Sequence, residues 1–164
     1  MNILKSDNIE RKLKILDKID GVDEKQSIKI LIKMLEDRSW CMREKAANRL
    51  VAYGPRISSR LQRLLKKGYW YTRASACMAL GEIGDAHAIE PIIALYLTDE
   101  NPTVLKEACG ALVKLAQKKT KKFAQAIQRI QLLPGDLQRI LLMLEKNDIE
   151  LRNTIKKLTA NVDE

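Results

Sequence analysis

Aromatic side chains are scarce in this chain of 164 residues: two Trp, four Tyr and one Phe, 4% of the whole. A core without large rings has to be assembled from Leu, Ile and Ala, which suits closely packed helices better than sheets. Histidine occurs once. His87, beside Asp85 at a helix start and with no nucleophile motif near it, reads as an exposed or capping residue rather than a general base or metal ligand. The three cysteines, Cys41, Cys77 and Cys109, are separated by 36 and 32 residues and fit neither a disulfide framework nor the close pairs of a zinc site. They read as small hydrophobes. Carboxylates are scattered at turns and helix ends with no facing pair, so no catalytic residue, metal or cofactor is assigned and an enzyme is not expected. The longest aliphatic run near Ile140 to Leu144 is too short to cross a bilayer, and Met1 to Asn8 lacks an apolar signal core. The expectation is a cytoplasmic protein with no membrane partner. Without a Gly/Ser linker or a low-complexity tract, residues 1–164 read as one domain.

What the chain does have is repetition. Leu35, Trp40, Arg43, Ala46, Leu50 and Gly54 return thirty positions on as Leu65, Trp70, Arg73, Ala76, Leu80 and Gly84. A third copy, offset by 32, uses Ala108, Leu112 and Leu115. A fixed period of this size marks stacked helical hairpins. Hydrophobic spacing and turn residues predict about ten helices in five antiparallel pairs. The first runs from about Asp7 to Ile19, with Ser6, Asp7 and Asn8 as capping candidates and Ile9, Leu13 and Leu16 on one face; the second spans Glu24 to Glu36. The third runs from Ser39 to Tyr53, the fourth from Arg56 to Lys67, the fifth from Trp70 to Ile83 and the sixth from His87 to Thr98. Asn101-Pro102 opens the seventh, and Gly81 to Gly84 reads as a closing repeat turn. Phe123, Ile127 and Ile130 suggest an eighth helix, a ninth begins near Leu137, and Asn147-Asp148 caps a tenth. Lys118, Lys119, Lys121 and Lys122 work against the dipole of the eighth helix and read as a solvated loop.

The best copy reads Trp70-Tyr71-Thr72-Arg73-Ala74-Ser75-Ala76-Cys77-Met78-Ala79-Leu80-Gly81-Glu82-Ile83-Gly84-Asp85. With 37–54 and 99–116 it resembles HEAT-like repeats of the short, phycobilisome-lyase type, clearly over residues 24–117 and in diverged form over 1–23 and 118–164. The resemblance implies an all-α, right-handed α-solenoid (α-α superhelix) of about five antiparallel helix pairs. It implies a non-enzymatic binding scaffold despite the lyase in the family's name. It further implies that the second helix of each pair lines a concave groove, and that Arg43 and Arg73 tie neighbouring repeats to an acidic residue such as Asp37 or Asp99. Two departures stand out. Trp40 and Trp70 replace the usual Asp-Pro start, and Leu105 stands where the third Arg would be.

Charge adds an observation of its own. Residues 38–73 carry ten cations against only Glu44, and they hold five of the seven aromatics: Trp40, Tyr53, Tyr69, Trp70 and Tyr71. On the fourth helix Arg56, Arg60, Arg63 and Lys67 fall on a single stripe at spacings of four, three and four. The positions matched to them on the second helix are Gln26, Ile30, Lys33 and Asp37, and on the sixth Ala88, Ile92, Leu95 and Asp99. Guanidinium groups beside aromatic faces suit an acidic protein segment, and they suit a phosphate backbone with stacked bases. The expected partner is therefore an acidic peptide or protein surface bound through Arg56, Arg60, Arg63, Lys67, Lys33, Trp40 and Trp70. The alternative is nucleic acid held by the Arg/Trp-rich segment 38–73.

Overall fold

The computed structural model describes residues 9–160. Ten α-helices follow one another: α1 (Ile9–Asp17), α2 (Glu24–Met34), α3 (Trp40–Val51), α4 (Ser58–Lys66), α5 (Trp70–Ile83), α6 (Ile89–Thr98), α7 (Pro102–Lys118), α8 (Thr120–Ile130), α9 (Pro134–Asn147) and α10 (Ile149–Ala160). Among the described residues there is no strand. The capping candidates Ser6, Asp7 and Asn8 lie outside the described residues, as does the side chain of Ile9.

The helices stack in two layers. Odd-numbered helices run side by side from α1 through α3 and α5 to α7, with α9 against α7; α4, α6, α8 and α10 form the second layer in the same order. This is an all-α solenoid. Leu50, Leu80 and Leu112, which share one repeat position, are all fully buried, as are Ala46, Ala76 and Ala108. The buried apolar side chains form one continuous core. The central helix α5 borders α3, α4 and α7, which is why its buried residues, from Thr72 to Gly81, spread round the helix instead of forming one stripe.

Start signals act as the sequence suggests. The Asn101 side chain accepts from the N–H groups of Thr103 and Val104, with Pro102 in the first turn of α7. Asp23 accepts from the Gln26 N–H. The exposed His87 likewise donates its N–H to Asp85 Oδ1 in the 3-10 turn Ala86–Ala88. Cys77 is buried, Cys109 half-buried and Cys41 exposed.

Three expectations need correction. The fourth α-helix starts at Ser58 and not Arg56, because Gly54 takes a positive φ of 62° and Pro55 lacks an N–H, so Gly54–Ile57 forms a 3-10 turn. Gly81 and Gly84 do not share one turn. Gly84 closes α5 in the left-handed conformation at φ 71°, whereas Gly81 lies inside α5, where a Cβ would stand 2.7 Å from the Ala111 Cα. The lysine run is no loop: α7 continues to Lys118 and α8 opens at Thr120. Lys118 reaches across to donate its Nζ to the Glu82 carbonyl at 2.8 Å, covering the open end of α5.

Candidate interaction surface

The stripe on α4 divides when its neighbours are in place. Arg60 and Arg63 turn toward α2, where they line a groove of about 340 Å³ with Lys25, Lys29, Ile32 and Leu64. None of the four cations is paired with a carboxylate among the described residues. Lys25 and Lys29 were not in the expected set. Matching repeat positions on α2 and α4 point the same way and so cannot face each other; the groove is lined by opposing flanks, and the i,i+4 spacing of Lys25 and Lys29 was the available signal.

Arg56 and Lys33 are already engaged. Arg56 pairs with Glu24 at 2.9 Å and donates Nε to the Tyr53 carbonyl, and Lys33 pairs with Glu36. Both pairs are exposed and therefore weak. The suggested apolar floor is also revised: Ile92 and Leu95 belong to the core, and Ile30 faces a separate hollow toward α1 with Ile15 and Val22. Ile32 and Leu64 supply the groove's apolar surface instead.

The tryptophans do not line this groove. Trp40, 45% exposed, lies 5.5 Å from the Arg43 guanidinium, and Trp70, 42% exposed, meets the edge of Tyr71 at the start of α5. Arg43 is only 4% exposed and sits 4.9 Å over the Tyr71 ring. Burial lowers its pKa from the ordinary arginine value, opposed by the fields of Tyr71 and Asp37. Lys67 is exposed at the end of α4, on the same turn.

Arg73 donates Nε to Asp99 Oδ2 at 2.6 Å and Nη1 to the Gly68 carbonyl. Arg43 is held differently. Its Nη1 donates to the carbonyls of Asp37 and Arg38, while the Asp37 carboxylate takes the Lys12 ammonium at 2.6 Å and the Ser39 N–H. Lys12 thus does in α1 what Arg73 does in α5, one position short of Leu13, the residue a full repeat before Arg43.

These pairings make a pH prediction. For Asp99 burial raises the pKa, but hydrogen bonds from Arg73 and the backbone outweigh it and hold the carboxyl below its usual range. In Asp85 burial is likewise overcome by bonds from Ser58 and His87, and the Lys114 hydrogen bond leads in lowering Glu82. Lowered carboxyls stabilise fully above their unfolded values near ~4 and lose that contribution as pH falls through the folded values. Urea midpoints are expected to hold steady from about pH 7 to 5 and to drop steadily below about pH 4.

Among the described residues no group of His, Cys, Asp and Glu is disposed to hold a metal ion, and no helix is long and apolar enough to cross a membrane. The family model for HEAT repeats matches residues 57–154. No curated protein matches the chain.

Proposed function

The chain belongs to the HEAT-repeat family, whose members serve as protein-interaction scaffolds, and we propose that it is a non-enzymatic one that binds an acidic segment of another protein. The observation that carries this reading is the groove between α2 and α4, where Lys25, Lys29, Arg60 and Arg63 converge with no carboxylate among them. Concentrated like charge with exposed amine and guanidinium donors attracts carboxylate-rich chains and raises their encounter rate. Ile32 and Leu64 between the cations suit an acidic segment that carries an occasional aliphatic side chain.

Nucleic acid fits less well. A single-strand groove combines phosphate contacts with aromatic platforms along one track, and this groove has no aromatic lining. A fluorescein-labelled peptide of mixed Glu and Asp, about twelve residues long, tests the reading by anisotropy at low salt. Arg60→Glu with Arg63→Glu is expected to weaken binding at least tenfold, about 1.4 kcal/mol. Lys121→Glu with Lys122→Glu, at the exposed start of α8, should change it no more than about twofold. Equal losses from both pairs would reduce the attraction to net charge. If duplex DNA binds instead, with log affinity falling against log salt at a slope of roughly −3 to −4 for about four phosphates, the nucleic-acid reading replaces this one.

A further inference from the structure

The three turns that lead into α3, α5 and α7 can be compared at the residue three positions before the odd helix starts. Before α3 it is Asp37, before α7 it is Asp99, and before α5 it is Lys67. The two acidic turns are built alike. The N–H two residues on, from Ser39 or Asn101, donates to Oδ1 at 2.9 Å, and a cation from the previous odd helix, Lys12 or Arg73, donates to Oδ2 at 2.6 Å.

Arg43 is the cation placed to serve the middle turn. Its Nε has no hydrogen-bond partner even though the residue is 4% exposed. Tyr69, which corresponds to Ser39 and Asn101, donates its N–H to no protein group among the described residues. Another unsatisfied polar atom stands in the first turn of α5. Thr72 is fully buried and packs against Gly68, and its Oγ1 is also without a partner. The positions matching Thr72 are Met42 and Val104, both apolar and buried. Buried polar groups are normally satisfied, and two that are not beside one turn point to an acceptor from outside the chain.

We propose that a side-chain carboxylate of the acidic partner takes at this turn the position that Asp37 and Asp99 hold at theirs, accepting from Arg43 Nε and the Tyr69 N–H. At the two acidic turns one carboxylate oxygen takes the N–H and the other the cation, and the same division is expected here. Trp40 and Tyr71 fix the guanidinium plane from their ring faces. Trp40, Trp70 and the 65% exposed Tyr69 give the site an apolar rim. Lys67 follows Arg63 by one helical turn, so a segment in the groove needs only about 10 Å, or three extended residues, to travel from Arg60 to the site. The inference rests on the acidic-partner reading and names that partner's anchor.

Lys67→Asp tests it by supplying the carboxylate from within the chain. With the labelled acidic peptide, this variant is expected to lose at least tenfold in affinity and to gain about 2–4 °C in Tm as Arg43 acquires a partner. Lys66→Asp makes the same charge change one residue away on the exposed end of α4 and should lose less than about threefold, with no gain in Tm. Peptide binding to the unaltered protein should shift the Trp40 and Trp70 emission, and Lys67→Asp should abolish that shift. Equal losses in the two variants, an unraised Tm in Lys67→Asp, or silent tryptophans would each overturn the anchor. If Arg60→Glu with Arg63→Glu still weakened binding at least tenfold in that case, the groove reading would survive alone. Failure of the unaltered protein to bind the peptide would sink both.

Discussion

Valine at position 81 is expected to remove more than about 3 kcal/mol of stability, with the loss felt along the whole α5 and α7 contact. Glycine is a poor helix residue by about 1 kcal/mol against alanine, so a helix-propensity argument alone would predict a gain from replacing it. Geometry overrules that. A Cβ on Gly81 would stand 2.7 Å from the Ala111 Cα and 2.9 Å from its Cβ, and the obstacle is backbone, which cannot rotate away. Overpacking a core costs about 1–3 kcal/mol even when side chains can adjust, and valine adds two branches to the collision. Gly110 provides the internal contrast. It sits on the exposed face of α7 with open space around its Cα, so Gly110→Ala is expected to stabilise by about 1 kcal/mol. Thermal melts of the two variants should therefore move in opposite directions. A Gly81→Val protein melting with the parent would mean that the two helices are not in backbone contact.

Asp37→Ala is the second substitution with a large expected effect, about 3–5 kcal/mol. The Lys12 and Asp37 side chains are only 9% and 7% exposed, so removing the carboxylate leaves an ammonium buried without its counter-charge. It also deprives the Ser39 N–H at the start of α3 of its acceptor. Lys12→Met should cost less, about 1.5–3 kcal/mol, because Asp37 keeps the Ser39 N–H and the nearby Arg43 field. The order of the two losses in urea unfolding checks this assignment. Equal losses would mean that the ion pair alone, and not the turn it closes, carries the energy.

The sequence made the architecture legible because the repeat positions are physical constraints. Leu50, Leu80 and Leu112 recur because each hairpin must bury the same edge against its neighbours. Caps such as Asn101 and the left-handed Gly84 mark their helix ends through local chemistry alone. The candidate surface was legible only in part. Arg60 and Arg63 stand out in a run of cations, but whether a charge is engaged depends on residues distant in sequence: Glu24 claims Arg56 from thirty-two positions away. Lys25 and Lys29 hid for the opposite reason, since they lie in a segment whose charges balance and gain meaning only from the helix laid beside them. Gly81 resembled its neighbour Gly84 in every local respect. What separates them is Ala111, which no pattern within the fifth helix reveals.

The meeting of α5 and α7 has a mechanical consequence. Where two helices touch through glycine and alanine, no long side chain is available to swing aside, and the joint resists bending. Between α2 and α4 the spacing is filled by lysine and arginine stems, which slide and re-extend at little cost. The molecule is thus a stiff block joined to a compliant end, and bending along the stack falls to its first two hairpins.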